Sequence, residues 1–176
     1  MSGLRQMNIN FDPIEDRLLL RITAGEPGSL DEYRIWLTRR FVRVIWKLLD
    51  QSITAETMNE TTVPQESAGA LQEFKEAAAL AEADFHTPFA GAPNRTPLGP
   101  NPLLVSKIQI RRQPGGHLLT METAQGQIIN LALHSGLVHS FRKLLADQTQ
   151  NAQWDLSLGM TTGKTAFLVE APRTIN

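Results

Sequence analysis

No cysteine occurs among the 176 residues, so disulfides, thiolate nucleophiles and cysteine-held metals are excluded. Aromatic residues are scarce at 6%, with a single tyrosine, which limits how many stacking platforms any ligand could find. No apolar run approaches the ~18–20 residues that a membrane span needs. The opening MSGLRQMNINFD has no apolar segment of the signal-peptide kind. A cytoplasmic protein without a membrane partner is therefore expected.

Catalytic patterns are equally sparse. His86, His117, His134 and His139 include no pair at i, i+3 or i+4, which leaves a metal site without support. Glu122, Asp147 and Asp155 stand alone, and Asp50 sits near a helix end, so no spacing points to an acid/base pair. The stretch Gly159–Thr165 has three residues between its glycines where a phosphate-binding loop needs four. A strand pattern follows it rather than a helix, so a hairpin turn is expected there. The expectation is a protein that is not an enzyme and needs no cofactor or metal.

What is present suffices for a core: 41% of residues are hydrophobic and 20% charged, in a length that fits one domain. The net charge of −1 conceals a division. Residues 53–85 hold seven acids against Lys75 alone, a net −6, so the remaining residues carry +5.

Alternation predicts a short strand over Met7–Phe11, a second over Arg17–Ala24 and, after a loop at 25–31, a third over Glu32–Leu37. Thr38 is placed to cap a helix running to about Ser52, with an apolar stripe of Phe41, Ile45, Leu48 and Leu49. Arg39, Arg43 and Lys47, four apart, line another side of that helix. Ser67–Phe85 reads as an alanine- and glutamate-rich helix with a seam of Leu71, Phe74, Ala78, Ala81 and Phe85. Five prolines then make 86–102 an extended or mobile connector. Strands follow over Leu103–Arg112, His117–Ala124 and Ile128–Leu133, with turns at Pro114-Gly115 and Gly126. Ser135 is the expected cap of a last helix bearing Leu137, Val138, Phe141, Leu144 and Leu145. Trp154–Met160 and Thr165–Glu170 form an expected C-terminal hairpin.

An internal repeat is suggested. Leu18, Leu19, Thr23 and Ala24 match Leu118, Leu119, Thr123 and Ala124 at an offset of 100. From Ile35 to Leu49 the match to Leu131–Leu145 runs at an offset of 96. The expected fold is thus α+β: two antiparallel strand-meander-plus-helix units, 6–53 and 103–150, packed pseudo-symmetrically within one domain. Residues 54–102 form an acidic helical insert and Pro-rich connector, and 151–176 the terminal hairpin.

The candidate binding residues lie opposite the aliphatic face of the strands: Arg17 and Arg21, Arg34 with Trp36, and Lys107 with Arg111. Guanidinium groups pair with phosphates, and an exposed tryptophan offers a face on which a base can stack. The two strand-and-helix runs, exemplified by YRIWLTRRFVRVIWKLL and INLALHSGLVHSFRKLL, resemble the Pur-repeat and Whirly-type single-stranded nucleic-acid-binding proteins in element order and helix pattern. The resemblance covers 8–51 and 104–148 and carries no residue motif; each unit shows three strands where those families have four. It implies binding of single-stranded nucleic acid through sheet faces. The alternative expectation is a protein-interaction or assembly component. There the acidic helix and the Pro-rich segment dock, and the basic face binds an acidic protein. The acidic helix could also lie over the basic face and block it. Exposed sheet edges and the 71–85 seam make a homodimer a further expectation.

Overall fold

The computed structural model describes residues 3–26, 28–59, 65–84, 89, 95–156 and 158. Six strands form one mixed sheet in sequence order: β1 (Leu4–Asp12), β2 (Arg17–Glu26), β3 (Ser29–Leu37), β4 (Leu103–Gln113), β5 (Gly116–Thr123) and β6 (Ile128–Leu133). Among the described residues, three helices complete the α+β architecture: α1 (Arg39–Asn59), α2 (Gln65–Glu82) and α3 (Ser135–Asn151). Each meander is antiparallel, and a short parallel pairing joins them, Ile35 to Leu103 and Trp36 to Leu104. The two expected units therefore share a single sheet and one continuous core.

Strand alternation sends Leu18, Leu20 and Ile22 of β2, Ile35 and Leu37 of β3, and Leu119 and Met121 of β5 into that core. There they meet Val42, Ile45 and Leu49 of α1 and Val138, Phe141 and Leu145 of α3. The helices cross over between the units. α1 follows β3 and packs on β4, the first strand of the second meander; α3 follows β6 and packs on β1, the first strand of the first. α3 contacts both edge strands: β6, which it directly follows, and β1. Gln148 of α3 accepts a hydrogen bond from the Phe11 amide at 3.0 Å, satisfying an edge donor of β1. Past α3, Trp154 stacks edge-on against Phe11 at 5.8 Å and donates its indole N–H to Asp16 at 2.9 Å.

Several local expectations hold. Gly115 follows Pro114 at φ +80°, and Gly126 sits at φ +81°, both at hairpin turns. Gly116 is obligatory for packing too, since a Cβ there would lie 2.2 Å from the Leu133 carbonyl oxygen. The Thr38 hydroxyl faces the Phe41 amide at 3.5 Å, as a cap should.

Others are corrected. The cap of α3 is His134, whose Nδ1 accepts from the Leu137 amide at 3.2 Å, while Ser135 is already helical. β2 and β3 extend through the expected loop until Glu26 pairs with Ser29. Within the connector, Arg95 is pinned to the edge of β3: its carbonyl accepts from the Glu32 amide and its amide donates to the Leu30 carbonyl. The seam proposed for the acidic helix is not its packed face. Of its residues Phe74, Ala78 and Ala81 are exposed, Leu71 is half-buried and Phe85 lies outside the described residues, whereas Gln72, Lys75, Glu76, Ala79, Leu80 and Ala83 are turned inward. Trp154, Asp155 and Leu156 form no strand, and the remainder of the expected C-terminal hairpin, with Gly159–Thr165, lies outside the described residues apart from Leu158.

The offset of 100 between β2 and β5 is also wrong by one residue. Leu18 pairs with Leu37, and His117 pairs with Leu133. The structural counterpart of buried Leu18 is thus buried His117, not half-buried Leu118. A single-residue slip exchanges the faces of a strand. The offset of 96 in the helices holds in space: Val42, Ile45, Trp46 and Leu49 are buried, as are Val138, Phe141, Arg142 and Leu145. A register shift also occurs early in both β1 and β4, between Leu4 and Gln6 and between Val105 and Lys107.

Candidate functional site

The helices occupy the inner face of the sheet, and the six candidate residues project from the other. Arg21 stands directly opposite Arg34, and Leu19 opposite Trp36, which neighbours Leu104 in turn. Lys107 pairs across from Glu122, and Arg111 from Leu118. The inward neighbours on these strands are the buried core residues, so Arg17, Arg21, Arg34, Trp36, Lys107 and Arg111 share one outer face across β2, β3 and β4.

Their charges are unequally available. Two arginines opposed across strands repel each other unless something intervenes. Here Glu32 does, with its side chain entirely buried between them. Its carboxylate takes Arg21 Nε at 2.6 Å and Arg34 Nη2 at 2.8 Å. Burial pushes the Glu32 carboxyl upward, but the hydrogen bonds and charges of the two arginines outweigh it and hold the group below the ordinary glutamate range. The same hydrogen bond pushes the Arg34 guanidinium further above its usual value. Arg34 Nη1 also donates to the Pro100 carbonyl at 2.9 Å, and the Arg21 guanidinium lies 4.3 Å from the Phe89 ring centre. The connector thus touches this face at two points. Arg17 is paired with Glu15 at 3.1 Å, and Lys107 lies 3.9 Å from Glu122. Arg111 is exposed and makes no ion pair among the described residues. Trp36 is half-buried.

The acidic helix does not cover these arginines: α2 packs against α3 and α1, on the helical side of the sheet. Its Glu76 approaches Arg142 of α3 at 4.0 Å, and Asp50 of α1 reaches the same guanidinium at 3.3 Å. Arg142 is 2% exposed and stacks on Trp46 at 4.7 Å.

Two features carried no weight in the sequence reading. Glu32, two residues before Arg34 on one strand, had to share its face by simple alternation, and that signal was available. The cations of α1 were recognised by their spacing but not as a surface. Arg39, Arg40, Arg43 and Lys47 are all exposed on it. Arg39 pairs with Asp16 at 2.8 Å, and Asp16 is held below the ordinary aspartate range by the Trp154 hydrogen bond and by Arg39. Arg40, Arg43 and Lys47 make no ion pair among the described residues.

Elsewhere, a cleft of about 490 Å³ lies between β1, the end of α2 and the start of α3. Its Ser140 hydroxyl donates to the Gly136 carbonyl, and its His134 Nδ1 is engaged as the helix cap. Among the described residues, no three of His, Asp and Glu gather where a metal could bind. No described helix is long and apolar enough to cross a membrane. Comparison with protein-family models, with curated proteins and with solved structures gives no match.

Proposed function

We propose that the protein is a non-enzymatic, cytoplasmic module that binds single-stranded nucleic acid on the outer face of its sheet. The observation that carries this reading is that all six candidate residues project to one face from three adjacent strands, with the helices on the other. Leu19, Trp36 and Leu104 make an apolar row in which the indole can receive a base, and Lys107 and Arg111 offer cations to the backbone. The crossed-over helices fit a duplicated strand-and-helix unit of the kind the Pur-repeat and Whirly-type resemblance implies.

Fluorescence anisotropy with labelled oligonucleotides tests the proposal. Lys107→Ala/Arg111→Ala should weaken binding by on the order of tenfold. It should also reduce the slope of log affinity against log salt by about 1.4, because each backbone contact on a single strand releases ~0.7 of a counterion. No binding at low salt, or a variant indistinguishable from wild type, would contradict it.

A second reading, assembly with a protein partner or a second copy, is favoured by one observation. Phe74 is 71% exposed on α2, beside exposed Ala78 and Ala81. Single exposed apolar residues are common, but a contiguous stripe on a helix is a docking feature. Phe74→Asp should leave the melting temperature nearly unchanged and abolish self-association in sedimentation velocity. A wild-type protein that sediments as a monomer, and recovers no partner that Phe74→Asp loses, would count against this reading.

A further inference from the structure

We propose that the exposed face of α1 is a second phosphate-binding surface, which takes the backbone of the nucleic acid as it leaves the sheet at Trp36. The inference rests on the nucleic-acid reading above but concerns different residues. Arg40, Arg43 and Lys47 are exposed and free of ion pairs among the described residues, so a phosphate meets no internal carboxylate that must first be displaced. On the sheet the opposite holds for Arg17, Arg21 and Arg34, each of which already has a carboxylate partner. Between Arg39 and Ala55 the only acid is Asp50, and it is engaged with Arg142.

The field at the start of α1 is reinforced by the backbone. The first turn contains no acidic residue, and Arg39 and Arg40 sit where the helix dipole is positive. Cations there are locally unfavourable, and only Arg39 is balanced, by Asp16. The packing of the fold does not demand the arrangement. The places in α3 that correspond to Arg40, Arg43 and Lys47 are Gly136, buried His139 and Lys143, the last paired with Asp147. One helix of the pair has thus kept a basic ridge that its counterpart lacks.

Placement suits a continuous ligand. Only Leu37 and Thr38 separate Trp36 from the helix, so a strand that passes round the end of β3 from the outer face meets the ridge. From Arg40 to Lys47 it rises ~10 Å at 1.5 Å per residue. Two of the three cations are arginines, whose planar fork matches phosphate oxygens. Between Arg39 and Ala55 of the helix, Val44, 37% exposed, is the one large apolar residue that is exposed, too little to insert into a bilayer or to anchor a protein partner.

Anisotropy with fluorescein-labelled dT20 tests the inference, comparing wild type, Arg40→Ala/Arg43→Ala/Lys47→Ala and Lys107→Ala/Arg111→Ala. Alanine favours helix, and the substituted side chains have no partners among the described residues, so the triple variant should melt as wild type does. The expected result is at least tenfold weaker binding at 50 mM salt and a salt slope smaller by about two. A charge-preserving Arg40→Lys/Arg43→Lys/Lys47→Arg variant should retain most of the affinity, which a purely structural role for the alanine effect would not require. Wild-type affinity and slope in the triple alanine variant, with loss in the sheet variant, would overturn the α1 surface and leave the sheet reading standing. Failure of the wild-type protein to bind would overturn both. Displacement of dT20 by polyglutamate at matched charge would assign the ridge to an acidic protein and overturn the inference.

Discussion

Glu32→Gln is expected to lower folding stability by about 2 kcal/mol and, in the same molecule, to tighten oligonucleotide binding. The carboxylate is buried and bridges two guanidiniums 2.6 and 2.8 Å away. Removing one partner of a buried ion pair costs ~3–5 kcal/mol when the other charge is stranded. Arg21 and Arg34 are each about a quarter to a third exposed, so water recovers part of that loss. Glutamine also keeps one hydrogen-bond acceptor. What it cannot do is neutralise, and two opposed arginines would then present their full charge on the outer face. If that face binds phosphate, affinity should rise severalfold and the salt slope steepen by about one. The pH dependence has a definite sign. The folded-state value of Glu32 lies below the unfolded one, so its contribution is complete above the ordinary glutamate range and disappears as pH falls through the folded value. Urea denaturation between pH 7 and pH 3 should show a steep acid limb in wild type and a shallower one in Glu32→Gln. Unchanged stability would mean that the bridge contributes nothing; unchanged binding would mean that the two arginines are not at the ligand.

Arg142→Ala should be more damaging, at about 3–5 kcal/mol, whereas Arg142→Met should cost no more than about 1 kcal/mol. Arg142 is buried at the junction of α1, α2 and α3, its guanidinium over Trp46 and near Asp50 and Glu76. Its Nε and Nη1 have no hydrogen-bond partner, so the charge is imperfectly compensated. Methionine keeps most of the packed volume and removes a desolvated charge, an exchange that is often neutral or favourable. Asp50 is half exposed and can return to water. Alanine instead leaves a cavity beneath Trp46 and removes the aliphatic stem that fills it. The pair of variants, compared by chemical denaturation, separates the two contributions. Equal losses in both would make the charge, rather than the packing, what holds α2 and α3 together.

How much of this was legible follows from the range of each signal. The helices α1 and α3 were readable because their apolar residues recur at helical spacing, and the second meander because Pro114-Gly115 and Gly126 mark its turns. The joining of two meanders into one sheet was not. It depends on Ile35 and Trp36 meeting Leu103 and Leu104, residues separated by two helices and a proline-rich stretch. The misplaced offset has a local cause: Leu18-Leu19-Leu20 gives no alternation to choose a register by, and a buried histidine stands in the second meander where Leu18 stands in the first. On α2 the alanine-rich pattern left the packed face ambiguous, and the charged Glu76 turned inward because Arg142 lies beneath it. The candidate site was legible as a face but not as an electrostatic balance. Strand alternation placed the six residues together, yet which cations are already neutralised depends on cross-strand register and on Phe89 and Pro100.

The most direct test of the account is where a bound strand touches the protein. Photocross-linking of a single-stranded oligonucleotide carrying 5-iodouridine, followed by mass spectrometry of the digested complex, reads this out. The expected adduct is on the peptide containing Trp36, and it should be lost at high salt with the binding itself. Cross-links confined to α2, or the absence of any adduct under conditions that cross-link a control binder, would contradict it.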